Sequence, residues 1–223
     1  MKHNHSIPVK KKMQWVAMAV ASMFMVSVAN AQSTETVHNN PNVRLGEKAL
    51  LDSDFKTAAG YLKKALPAEA DDPNVLYMLG YSEYHSGDFR GAVQSFQKVI
   101  ELAPENATAY YYRAKANNTL AVSSEIKSTN ANRERMLGEA ISDYTKAIEL
   151  TPKDVKLYQN RAVAYRDLGI LLGTAGMPNF DKAKAVEAYD KSIADFEEVL
   201  KISPGKKDIE TEIKKAKVYR DNL

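Results

Sequence analysis

The sequence predicts an all-α solenoid of antiparallel helix pairs, and three observations predict it. One pattern of small and large apolar residues recurs along the chain with a basic period of 34 residues. Within each copy the apolar positions follow helical spacing. Only 10 Gly and 8 Pro interrupt 223 residues, which suits a mainly helical chain. A fixed period of this length marks stacked two-helix units, none of which can bury its apolar face alone.

The register is set by four series. Gly46, Gly80, Ala114 and Ala162 are separated by 34, 34 and 48 residues. Ala58, Ala92, Ala140 and Ser192 recur at 34, 48 and 52, and so do Leu62, Phe96, Tyr144 and Phe196. Ala65, Val99, Ala147 and Val199 keep the same separations, and Pro104, Pro152 and Pro204 follow at 48 and 52. One unit is therefore present four times, stretched by 14 residues in the third copy and by 18 in the fourth. The physical content is direct. Gly80 and Ala92 let two antiparallel helices approach closely, and Phe96 fills the gap between neighbouring units. Gly87 and Asp88 supply the tight turn between the helices, and Pro104 closes the second helix.

Leu79-Gly80, Gly87-Asp88-Phe89, Ala92, Phe96 and Glu101-Leu102-Ala103-Pro104 resemble a tetratricopeptide repeat almost residue for residue. The resemblance divides the chain into repeats at 39–72, 73–106, 107–154 and 155–206, with Ser192 in place of the usual Ala in the last. It implies a right-handed superhelix whose first helices line a concave, peptide-binding face. Residues 207–223 form a further amphipathic helix, with Ile209, Ile213, Ala216 and Tyr219 on one apolar face. Such a helix solvates the end of a solenoid. Its basic cluster also allows a membrane or nucleic-acid contact. The additions fall between the two helices of their units, at Val122 to Arg133 and after Leu168, where Asp181 opens a long helix to about Ile202. They are either an extended binding surface or tolerated loops.

Residues 1–31 read as an export signal. Lys10, Lys11 and Lys12 precede an apolar run from Met13 to Val28, and Ala29-Asn30-Ala31 is a small-x-small cleavage site. Cleavage after Ala31 leaves Gln32 as the mature N-terminus and residues 32–38 as a short tail. The alternative is an uncleaved anchor, although a run of 16 residues, interrupted by Gln14, Ser22 and Ser27, is shorter than the roughly 20 that span a bilayer. The style of the signal suits a Gram-negative bacterium, hence the periplasm. No Cys is present, so neither a disulfide nor a thiolate metal site enters the fold. Without the signal, 27 basic residues face 28 acidic ones, a net charge of −1 rather than +3. That balance gives no electrostatic case for nucleic acid.

Chemistry is sparse. Beyond the signal only His38 and His85 remain, and no metal-binding run, phosphate-cradling Gly loop or nucleophile elbow occurs. The chain is expected to be no enzyme, with no cofactor and no metal. A groove is the better candidate. Tyr77, Tyr81, Tyr84 and His85 share one stripe of the first helix of the second unit. Tyr111, Lys115 and Asn118 occupy the equivalent stripe one unit on, and Gln159, Val163 and Arg166 the next. Tyrosines offer large contact area and a hydroxyl, and Lys115 and Arg166 favour acidic groups. The alternative is that the tyrosines pack against the insertions. Some members of the family clamp a partner's C-terminal carboxylate. In that register the chain offers Tyr77, Tyr81, Tyr112, Lys156 and Asn160, of which only Lys156 matches, so a clamp of that type is rejected. The expectation is an exported scaffold that binds a peptide or helix of another protein, of unknown identity, in its concave groove. A self-associating envelope subunit and a glycan- or peptidoglycan-binding module are the rivals.

Overall fold

The computed structural model describes residues 38–223. The expected signal at 1–31, and the tail as far as residue 37, lie outside them. The described residues form nine helices and no strand. They are α1 (Pro41–Leu51), α2 (Phe55–Glu69), α3 (Pro73–Ser86), α4 (Phe89–Leu102), α5 (Ala107–Val122), α6 (Asn130–Leu150), α7 (Val155–Gly173), α8 (Lys182–Ile202) and α9 (Lys207–Asp221). None of them is long and apolar enough to cross a membrane.

The helix starts are written locally. Asn40, Asp54, Asp72, Asp88, Asn106, Thr129, Asp154 and Asp181 each cap a helix by accepting a backbone N–H in its first turn. Each such cap is worth about 1 kcal/mol. Gly87 ends α3 at φ 90°, a left-handed turn that only a residue without a Cβ adopts cheaply. Among the described helices only α9 starts without a side-chain cap, and Asp208 and Glu210 in its first turn meet the helix dipole instead.

Each helix packs on the next along the chain. The odd-numbered helices also touch in succession, α1 with α3, α3 with α5, α5 with α7 and α7 with α9. Among the described residues the even-numbered helices do not touch one another. The odd helices therefore form the inner layer of a curved stack and the even helices its splayed outer layer. Pairing rests on the small residues. A Cβ on Gly46 would lie 2.7 Å from Leu62, and one on Gly80 would lie 3.0 Å from the Phe96 ring. In the later units Ala114 packs with Tyr144 and Ala162 with Phe196, all fully buried or nearly so. Ser192, the departure from pattern, is fully buried and donates its hydroxyl to the Ala162 carbonyl at 2.8 Å. The polar atom is tolerated because it is satisfied.

Polar brackets link the units at equivalent positions. The Arg113 guanidinium donates to Asp143 of its own unit at 2.8 Å and to Gln97 of the unit before. Arg161 repeats this with Asp195 at 2.8 Å and Thr145 at 3.0 Å. Between the first two units the same outer-helix positions hold Lys63 and Ser95, and Glu83 takes the central role. It accepts from Ser95 at 2.6 Å and faces Lys63 at 2.8 Å.

The additions are helical rather than loose. α6 and α8 each have 21 residues where α4 has 14. The expected loop of the third unit is shorter than the sequence suggested, because Asn130 to Arg133 already belong to α6. Leu120, Ala121, Met136 and Leu137 form a small core there, with Ile126, Leu168 and Leu171 against it. In α9, Ile209, Ile213 and Ala216 are buried, whereas Tyr219 is 46% exposed. Its ring lies tilted beside that of Tyr189, with the centres 6.1 Å apart.

The small-residue contact makes two glycines behave oppositely. Gly80→Val forces Phe96 aside and should destabilise by about 2 kcal/mol. At Gly60 on α2 a Cβ meets nothing within 4 Å, so Gly60→Ala should stabilise by about 1 kcal/mol. Urea midpoints check both.

Candidate functional site

The inner layer carries every residue of the expected groove, but at different depths. Tyr77 and Tyr81 are each only 6% exposed. This corrects their reading as open anchors. α3 is covered on all sides, by α2 and α4 and by the flanking inner helices α1 and α5, and it buries every residue from Val75 to Glu83. Tyr112 of α5 does much of the covering. Its ring stacks on Phe96 at 5.5 Å and meets Tyr81 and Tyr84 edge-on at 5.3 and 5.5 Å. Burial pushes the Tyr77 and Tyr112 hydroxyls well above the ordinary tyrosine value. The covering comes from the neighbouring inner helix, not from the insertions. Replacing Tyr77 or Tyr81 perturbs the core as well as any groove. In the sequence Tyr112 is marked only by its place in the clamp register.

What faces the groove is Tyr84, His85, Tyr111 and Lys115. Tyr84, Tyr111 and Lys115 are half-buried and His85 is exposed. The His85 ring stacks on Phe55 at 4.8 Å and leans on Tyr81 at 4.3 Å. The Lys115 ammonium lies over two rings at once, 5.1 Å from the centre of Tyr84 and 5.4 Å from that of Tyr111. Such cation–π contacts are worth roughly 0.5–2 kcal/mol each, more when desolvated. Burial works against the lysine charge, and Tyr111 and Tyr84 more than restore it, so its pKa lies above the ordinary value. Among the described residues no carboxylate pairs with Lys115.

Further along the layer the polar residues are engaged with one another. Asn118 donates to Asp167 at 3.4 Å, and Arg166 donates to Asp167 at 3.0 Å and to Glu212 of α9 at 2.6 Å. Arg166 was expected to attract acidic groups of a ligand. The chain's own carboxylates already satisfy it, so the groove keeps one cation of the expected two. Gln159 and Val163 are half-buried beside this network. At the other end His38, Glu69 and Asp72 bring ligand atoms within 4.8 Å of one another. Each has a structural role. Asp72 caps α3, Glu69 accepts from Asn40 at 3.2 Å, and His38 faces both carboxylates at 3.7 and 3.8 Å.

The electrostatics of the aromatic cluster can be read at His85. Although the residue is exposed as a whole, its ring is partly desolvated against Phe55 and Tyr81, which holds its pKa below the ordinary 6.5, and the Lys115 charge lowers it further. A histidine depressed in the folded state stays neutral there and protonates more readily when unfolded. It therefore costs stability as pH falls through about 6.5 and below. The His85 ring protons should titrate below 6.5 in NMR, and Lys115→Met should move the midpoint up.

The comparisons agree with this architecture. A family model described as TPR repeat matches residues 80–119, and one described as tetratricopeptide repeat matches residues 143–175. No curated protein matches the chain. Among solved structures, the MamA RS-1 ArsTM double mutant is similar at a TM-score of 0.61 and 18% identity, over 82% of this chain and 88% of that one. MamA 41-end from Desulfovibrio magneticus RS-1 is similar at 0.50 and 18%, over 83% and 94%. At such identities the likeness is one of fold, which by itself names no ligand. The repeat matches, the register of the small residues and the layered helix pairs show that the chain contains tetratricopeptide repeats and has the fold built from them.

Proposed function

We propose that the chain is an exported scaffold which holds a peptide or helix of another protein along its inner groove, in the envelope of a Gram-negative bacterium. Binding rather than catalysis is favoured by the chemistry of the inner face. Arg166, Asp167 and Glu212 are engaged with one another rather than aimed at a reacting group, and among the described residues of this face no nucleophile is hydrogen-bonded to a base.

The observation that carries the reading is Lys115. A lysine held between Tyr84 and Tyr111 with no acidic partner is a preorganised cation on a half-buried aromatic floor. A segment that lays apolar side chains on these rings and brings a carboxylate to Lys115 gains both contact area and a charge-assisted hydrogen bond. Because the rings are already ordered against one another, little side-chain entropy is lost on binding.

A photoreactive amino acid placed at His85 should crosslink a discrete partner in intact cells, identified by mass spectrometry. The same probe at Lys98, exposed on the outer helix α4, should give little. Lys115→Met should lower the His85 yield several-fold, and equal yields at both probe positions would reject the groove. The export half is tested separately. N-terminal sequencing of the accumulated protein should begin at Gln32, and a start at Met1 would reject cleavage.

A further inference from the structure

The lengthened helices build a second surface that the inner groove does not use. Seven extra residues in each of α6 and α8 add about 10 Å at 1.5 Å per residue. α7 is five residues longer than α3. The additions of the two units are joined, since Asn130 donates to Asn179 at 3.0 Å. Together they make a flange on one rim of the stack.

Between the lengthened α6 and α8 lies an open groove of about 600 Å³. Its floor is one face of α7, formed by Tyr165, Leu168 and Leu172. Ala131 and Gly138 stand on one wall and Ala188 on the other. Gly138 is mid-helix, where glycine costs about 1 kcal/mol relative to alanine. A Cβ there would meet nothing within 4 Å, so no contact inside the chain requires the glycine. Its absence of bulk only keeps the groove open. The loop joining α7 to α8 belongs to the same flange and displays Met177 and Phe180, 46% and 45% exposed. Neither side chain belongs to a core cluster.

We propose that the flange is a contact between two copies of this chain. Met177 and Phe180 of one copy enter the flange groove of the second, and the second returns the contact about a two-fold axis. An apolar recess and apolar projections on one patch are what an isologous interface requires, because each patch must meet itself. The charges are compatible with it. The α6 wall carries Glu134 and Arg135, and the α8 wall carries Lys184, Glu187 and Lys191. Arg135, Lys184 and Lys191 pair with Glu139, Asp181 and Glu187 nearby in the chain, but these pairs are exposed and cost little to exchange. Both signs on both walls let an antiparallel meeting place opposite charges across the contact. The flange is only about two helical turns tall, so it falls short of the roughly 800 Å² per partner of a standard interface. The dimer is accordingly a weak one.

Sedimentation velocity of the protein purified as it accumulates in cells, from about 1 to about 300 μM, where weak contacts become populated, tests the proposal. The wild type should shift from monomer to dimer over this range. Phe180→Ser should weaken association at least tenfold. So should Gly138→Leu, which fills the groove while giving α6 a better helix former, so its thermal midpoint should not fall. Lys115→Met, on the other face, should leave association unchanged, which separates this contact from the inner groove. A wild type monomeric at every concentration, or a dimer indifferent to both flange substitutions, would overturn the proposal.

Discussion

The structure depends on how closely two helices of a pair can approach. At one position per unit a residue with little or no side chain meets a large apolar one, as Gly46 meets Leu62 and Gly80 meets Phe96. The large side chain is buried without a cavity, and the pair becomes a rigid plate with apolar surface left over on both sides. That surplus makes the next plate necessary. Interiors tolerate neither voids nor overlap, so the spacing at this one point fixes the spacing of the whole stack. The inner helices touch and the outer ones do not, and a concave face follows.

On that frame the brackets around Arg113, Arg161 and Glu83 fix how each plate sits on the one before. They also decide which charges remain for a partner. Arg113 and Arg161 are held by Asp143 and Asp195, and Arg166 by Asp167 and Glu212. A cation in such a network is a poor recruiter of outside anions, because a ligand must first break bonds already made in a partly desolvated place. Lys115 differs because aromatic faces hold it without neutralising it.

Much of this was legible in the sequence because it is local or periodic. The caps lie within three residues of the amides they serve, and the small and large positions repeat at fixed separations. What was not legible needs three or more helices at once. The stripe through Tyr77 and Tyr81 looks exposed on a single helix, yet Tyr112, thirty-odd residues away and on another inner helix, closes over it. The pairing of Arg166 with Glu212 joins residues 46 apart across an interface that no period specifies. The Asp143 and Asp195 partners of the arginines could have been found. They stand 30 and 34 positions on, at equivalent places in their units, and a search for recurring opposite charges would have shown them.

The reversed bracket at the start of the stack makes its units non-interchangeable. If the second unit were deleted, Lys63 would be brought beside Arg113, with two cations facing the single carboxylate of Asp143. If the second were duplicated, Leu79 and Glu83 would follow Gln97, and the carboxylate would lose its lysine. Idealised repeat arrays grow and shrink by whole units because every junction is alike. Here each junction carries its own polarity, so the order of the plates is written into the buried charges. Such a chain is poorly suited to change length by copying a unit. It can still grow within a unit, at the bend between its two helices, and both of its enlargements lie there.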